Sequence, residues 1–165
     1  MPGKDLRSVH CVGVPTAVLG WREWVALPQL GVAAIKAKLD SGARTSSLSV
    51  EGLETFHVDG QLQVRFGVRA RRRSAQVVAC TAPVLDRRVV ADSGGHREAR
   101  WFIASRLVLA GQAIDIEMNL TDRRAMLFPL LLGRSALAGR FCIDCALSYT
   151  SARPLRSRPS DVSPA

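Results

Sequence analysis

Lys38-Leu39-Asp40-Ser41-Gly42-Ala43-Arg44-Thr45-Ser46 decides how the rest of this sequence is read. It continues Ala33 to Leu39 (AAIKAKL), where apolar and basic residues alternate so that Ile35, Ala37 and Leu39 share one face, the period of a half-buried strand. A carboxylate thus stands at the end of an amphipathic strand, followed by a hydroxyl, a glycine and a small residue. Hydrolysis of a peptide by paired aspartates needs these residue types in this order. Two carboxylates about 3 Å apart cannot both ionise, so they share a proton and one acts as base towards water. Gly42 would let two such loops approach closely, and the Ser41 hydroxyl can tie one loop to its neighbour's backbone. Asp-Ser-Gly is also an ordinary turn, because all three residues favour turns, so the tetrapeptide alone leaves a plain turn open.

Outward from this stretch the pattern is mostly strand-like. Gly20 to Ala26 is rich in β-favouring residues, and Pro28 and Gly31 mark a turn after it. Gln61 to Val68 (QLQVRFGV) alternates, with Leu62, Val64, Phe66 and Val68 on one face after a turn at Asp59-Gly60. Gln76 to Cys80, Val84 to Val90, Trp101 to Leu109 and Ala113 to Leu120 continue the series, with Ala110-Gly111 as a hairpin turn. Late in the chain the apolar run Leu130-Leu131-Leu132 leads into Gly133 to Ala138, which reads as a short helix. The expectation is an all-β domain over residues 18–150 with one short C-terminal helix. Residues 1–17 read as a flexible arm, and residues 151–165, rich in Pro, Ser and Arg, as a disordered tail.

The two segments together resemble the retropepsin-like aspartic proteases. That family carries Asp-Thr/Ser-Gly-Ala early, a Gly-rich flap in the middle and an apolar-apolar-Gly-Arg run before its C-terminal helix. Here Asp92-Ser93-Gly94-Gly95-His96 stands where the flap is expected, and Leu131-Leu132-Gly133-Arg134 stands in the late motif. The match sharpens to a bacterial subfamily that goes by the description ATP-dependent zinc protease, often found beside an ATP-grasp ligase that adds glutamates to a ribosomal protein. It is carried by Gly20 to Trp24, Lys36 to Ser46, Asp92 to Glu98, Asn119 to Arg123 and Leu131 to Arg134, and it spans about residues 18 to 150.

The resemblance implies a small closed barrel and an aspartic endopeptidase. Asp40 would activate water, Ser41 would brace the loops and Ala43 would line the floor. With one Asp-Ser-Gly-Ala loop and one Leu-Leu-Gly-Arg run per chain, the catalytic pair would come from two protomers across a two-fold axis. The second Asp-Ser-Gly, at residues 92–94, lacks the small residue after its glycine and reads as flap or turn. Viral retropepsins have an acidic residue at the position of Arg44, which pairs with the arginine of the late motif, so Arg134 must find another partner or stand without one. The association with the ligase makes a glutamylated ribosomal protein tail the expected substrate.

Charge and cysteines bound the rivals. The chain of 165 residues carries a formal charge of +9, almost all of it arginine, with Arg69, Arg71, Arg72 and Arg73 in one run. Such a surface attracts acidic partners, so a non-catalytic barrel that binds RNA or acidic peptides is the alternative function. Aromatics at 5% offer little for base stacking, and nucleic acid is not the expected partner. The longest apolar run, Met126 to Leu132, is too short to span a bilayer. Four cysteines in a chain this long do not suggest a disulfide framework, and the expectation is a reduced, cytoplasmic protein. A zinc hydrolase is the third reading. However, His10, His57 and His96 are scattered, and the C-x-x-C of Cys142 and Cys145 lacks two obvious further ligands, so no metal and no cofactor are expected.

Overall fold

A computed structural model describes residues 17–70, 75–91, 94–122 and 127–154. Among the described residues the chain is all-β apart from one turn of α-helix and one of 3-10 helix, and most of its strands follow from alternation. In β2 (Arg22–Leu27) and β3 (Val32–Leu39) alternate side chains are buried, and a turn of 3-10 helix at Pro28–Leu30 joins the two. Gly31 closes that turn at φ 68°, a left-handed conformation that glycine adopts without steric cost.

After the Asp40 loop come β4 (Ser46–Ser49) and a meander of β5 (Glu51–Val58), β6 (Gln61–Val68) and β7 (Val78–Pro83). Next is the hairpin of β8 (Asp86–Ala91) and β9 (Arg97–Leu109), then β10 (Gln112–Thr121), β11 (Leu130–Leu132), helix α1 (Arg134–Leu137) and β12 (Phe141–Asp144). Short β1 (Ala17–Gly20) lies parallel to β12.

Six strands pair in a ring. β3 pairs with β2 and with β11, β11 with β4, β4 with β10, β10 with β9, and β9 returns to β2. Each contributes a side chain with no exposed surface to one interior: Val25, Ile35, Leu48, Ile103, Met118 and Leu130. Burying each such side chain stabilises the fold by roughly 1.5–3 kcal/mol. The β5–β7 meander covers this core with Val64, Phe66, Val68 and Cys80. The Cys80 thiol donates to the Leu30 carbonyl (3.2 Å), and burial pushes its pKa up to about 11.

The expected strands are present, and β9 is longer than expected because Arg97–Arg100 extends the hairpin with β8. The resemblance implies a strand at Leu127 to Leu132, and β11 lies there; four further strands, β1, β4, β5 and β12, do not follow from the sequence pattern. β5 shows why: none of its side chains is buried, so it has no apolar period to read. The expected arm lies outside the described residues up to position 16, as does the expected tail from position 155. Ser151 is anchored instead. The wholly buried Glu23 carboxylate accepts from the Gly20 N–H (2.8 Å), from the Thr150 N–H and hydroxyl (2.9 and 2.6 Å), and from the Ser151 N–H and hydroxyl (3.2 and 3.0 Å). Burial pulls the Glu23 carboxyl up, but these donors outweigh it and hold it below its ordinary value.

Candidate active site

The site forms where β3 and β11 end side by side. Leu39 is in register with Leu132 in a parallel pair, and one residue further the Asp40 N–H donates to the Leu132 carbonyl (2.8 Å). That bond places Asp40 against Gly133. The chain then turns on the aspartate itself: Asp40 Oδ1 accepts from the Gly42 N–H (3.0 Å), and the Asp40 carbonyl accepts from the Ala43 N–H (3.3 Å). The other oxygen, Oδ2, faces Lys38 Nζ at 3.5 Å, and the Asp40 side chain keeps 27% of its surface exposed. Ser41 and Gly42 are exposed at the loop tip.

Arg134 holds this loop from behind. Its Nη1 donates to the carbonyls of Ser41 (2.9 Å) and Gly42 (3.0 Å). Its backbone N–H donates to Ala43 (2.8 Å), and the N–H of Ser135 donates to Arg44 (3.1 Å). The arginine that lacks an acidic partner at Arg44 thus grips main-chain oxygens of the aspartate loop.

Gly133 is required by contact rather than by turn geometry. A Cβ there would lie 2.6 Å from the Thr45 carbonyl carbon and oxygen and 2.8 Å from the Arg44 oxygen. The buried Ser46 hydroxyl accepts from the Gly133 N–H (3.2 Å).

Behind the loop lies a polar chain that motif reading alone did not assign. The wholly buried Asn119 donates through its amide to the Ser46 carbonyl (2.8 Å). Its oxygen accepts from the Ser47 hydroxyl (3.0 Å) and from Arg100 Nη1 (3.1 Å), and Arg100 Nε donates to Glu98 (2.9 Å). The base of the β8–β9 hairpin is thereby tied to the strand that follows the aspartate loop. The strand period gave no signal for Asn119, which shares the face of Asp115 and Glu117 opposite the apolar Ile114, Ile116, Met118 and Leu120 and is buried only by its tertiary partners. Lys38, two residues before Asp40 on the same face, was legible from the strand period.

The structure therefore brings Asp40, Ser41, Gly42 and Ala43 together with Leu131, Leu132, Gly133 and Arg134. Of the expected flap, Gly94, Gly95 and His96 are exposed in the connection between β8 and β9, and Gly95 has φ 79°. Asp92 and Ser93 lie outside the described residues, as do Arg71, Arg72 and Arg73.

Residues 18–154 match the model of a family described as RimB-like, retropepsin-like aspartic endopeptidase RimB. The chain belongs to that family. Three curated relatives share the name "Probable alpha-L-glutamate ligase". The Desulfotalea psychrophila protein is 42% identical over 143 residues, which is 84% of this chain and 31% of that protein. The Shewanella pealeana protein is 39% identical over 133 residues (80% and 29%), and that of Parasynechococcus marenigrum 41% over 128 residues (77% and 28%). The chain thus spans about three tenths of the length of these relatives. A solved structure of a Legionella pneumophila protein of unknown function superposes with a TM-score of 0.68 at 26% identity, covering 81% of this chain and 97% of that one.

The described residues do not by themselves supply a donor set for the zinc of the subfamily's description. Among the described residues no three His, Cys, Asp or Glu side chains come together as a metal site would need. His10 and Cys11 lie outside the described residues. Among the described residues, too, no helix is long and apolar enough to cross a membrane.

Proposed function

We propose that this RimB-like chain is one protomer of a homodimeric aspartic endopeptidase that acts on acidic or glutamylated protein tails in the cytoplasm. The observation that carries the reading is the Asp40 loop itself. Its carboxylate is partly exposed at an exposed tip, held by a backbone N–H of its own turn and braced by Arg134. Each protomer would bring one such loop to the two-fold axis, so that the two Asp40 carboxylates share a proton and a water between them. One carboxylate takes a proton from the water as its oxygen attacks the peptide carbonyl carbon. The partner's Asp40 carboxyl gives its proton to the carbonyl oxygen, forming a diol; as the diol collapses and the C–N bond breaks, the first carboxyl passes the water's proton to the leaving amine and the partner's Asp40 takes one back from a diol hydroxyl. Gly94, Gly95 and His96 would close over the substrate and exclude water.

An acidic substrate is supported by the ligase name of the longer relatives, in which this domain is about three tenths of the protein. A domain joined to a protein named for adding glutamate suits a peptidase that removes or trims what is added. The RNA-binding alternative draws less support, because Arg65, Arg69, Arg88 and Arg106 spend their charge on neighbouring carboxylates.

The deciding experiment is cleavage of a polyglutamate-tailed peptide by wild type and Asp40→Asn at several protein concentrations, with and without a metal chelator. Cleavage that rises faster than linearly with concentration, survives the chelator and disappears in Asp40→Asn supports the reading. Cleavage that ignores Asp40, or none from a folded dimer, overturns it.

A further inference from the structure

The face of β2 and β3 that turns away from the core leads directly to Asp40, and it carries cations rather than the mixed charge of an ordinary solvated strand. In β3 the outward side chains before Asp40 are Lys36 and Lys38, and in β2 they are Arg22 and Trp24. Register sets Arg22 beside Lys38 and Trp24 beside Lys36. Residues 147–153 run across this face, pinned by the Trp21 N–H to the Leu147 carbonyl (3.1 Å), the Tyr149 N–H to the Arg22 carbonyl (2.8 Å) and the buried Glu23. They add Tyr149 and Arg153 to the same surface.

The cations rest on rings. The Arg22 guanidinium lies 4.6 Å from the Trp21 ring centre and 5.1 Å from that of Tyr149. Lys36 Nζ lies 5.3 Å from Trp24 and 5.4 Å from Tyr149, and the Arg153 guanidinium lies 4.7 Å from Trp24. An aromatic face holds a cation in place without neutralising it, and a stacked guanidinium keeps donors in its plane free for carboxylate. Among the described residues the Arg22 side chain donates to the Ser148 hydroxyl (3.1 Å), and no ion pair joins Arg22, Lys36 or Arg153 to a carboxylate. Five other arginines differ: Arg65, Arg69, Arg88, Arg100 and Arg106 each pair with Asp or Glu. Among the described residues the carboxylate on the stripe is Asp40, two positions from Lys38 on the same face.

We propose that Arg22 and Lys36, beside the Lys38–Asp40 pair, form a carboxylate-binding subsite that selects acidic side chains of an extended peptide, with Trp24 and Tyr149 as its platform. The inference rests on the endopeptidase reading of Asp40 and names what determines its specificity. Same-face positions on a strand repeat at roughly 6.6 Å, so Lys36 stands two such repeats from Asp40, in step with the alternate side chains of an extended acidic substrate.

The test separates binding from cleavage. Fluorescein-labelled hexaglutamate and hexaglutamine peptides are titrated into the Asp40→Asn protein at low and high salt. The glutamate peptide binds about tenfold more tightly at low salt, the worth of two screened ion pairs, and the preference shrinks as salt rises. Arg22→Gln/Lys36→Gln removes that preference and leaves the glutamine peptide unchanged. Lys36→Gln alone, an exposed substitution, lowers it by about threefold and carries the test if the double variant unfolds. Equal affinity for the two peptides, or a preference that survives the double variant, overturns the subsite. Wild type cleaving both peptides with equal kcat/KM also overturns it while leaving the endopeptidase standing. Glutamate-selective binding lost in the double variant, with no cleavage by wild type, sinks the endopeptidase and supports the subsite.

Discussion

Gly133→Ala asks whether the aspartate loop is positioned by the crossing of two backbones. The added Cβ would meet the Thr45 carbonyl carbon and oxygen at 2.6 Å, where ordinary contact begins at 3.4 Å, so one chain must retreat by about 0.8 Å. Neither neighbour is the free end of a flexible side chain. Thr45 is held between the Ser135 bond to Arg44 and the buried Ser46, and Gly133 follows Leu132, whose carbonyl receives the Asp40 N–H. The displacement therefore passes to Asp40 within one residue. Overpacking of this kind costs about 1–3 kcal/mol, which in a domain of this size lowers Tm by about 3–10 °C. A shift approaching 1 Å at a catalytic group costs about a hundredfold in rate. The assay is a thermal melt beside kcat/KM on a glutamate-tailed peptide, measured well below the Tm of the variant so that both proteins are folded. Loss of rate far beyond the loss of folded protein supports the reasoning. An alanine variant that melts and cleaves like wild type would refute it.

Other expectations can be checked with the same preparations. Asp40→Asn abolishes cleavage with little change in Tm, since the loop keeps the Gly42 N–H bond to an amide oxygen; a circular dichroism melt beside the peptide assay checks both. Glu23→Gln loses about 1–3 kcal/mol, because an amide cannot accept from all the donors that meet the carboxylate. The pH dependence follows from the lowered Glu23 pKa: its stabilisation is present above the ordinary value of 4.5 and is lost as pH falls through the lower folded value. Wild-type stability should accordingly decline more steeply than that of Glu23→Gln as the medium is acidified below that value, and parallel profiles would contradict the assignment. Ser105→Ala raises stability by about 1 kcal/mol or leaves it unchanged, since the buried Ser105 hydroxyl has no partner; a clear loss in a denaturant titration would show that it has one. The Cys80 thiol, with its pKa near 11, stays unalkylated by iodoacetamide at pH 8 in the folded protein, as mass spectrometry of the digested product would report.

The strap formed by residues 147–153 links these outcomes. Gly20 leaves no room for a Cβ, which would lie 2.5 Å from the Leu147 oxygen, and Glu23 gathers donors from both ends of the described chain. The same segment presents Tyr149 to the outer face of β2 and β3. Damage at Glu23 should therefore reach the proposed subsite as well as the melting temperature.

Local chemistry was legible in the linear sequence. The alternation of Ala33 to Leu39 predicts a strand ending at Asp40, the Asp-Ser-Gly turn follows from side-chain preference, and Gly133 to Ala138 after the apolar run reads as the short helix of the late motif. These features depend on neighbours within a few residues, so a sequence carries them openly. β5 escaped because a strand with no buried side chain has no apolar period.

The tertiary structure decided everything that depends on distant partners. It gave Arg134 the carbonyls of Ser41 and Gly42, more than ninety residues away in sequence, where charge pairing alone had offered no partner. It made Gly133 indispensable through contact with Thr45, joined Asn119 to Ser46 and Arg100, and set Arg22 beside Lys38. The residues on the sequence's own motifs were determined by sequence; their partners were not, because strand pairing and close packing join segments whose separation along the chain carries no local signal.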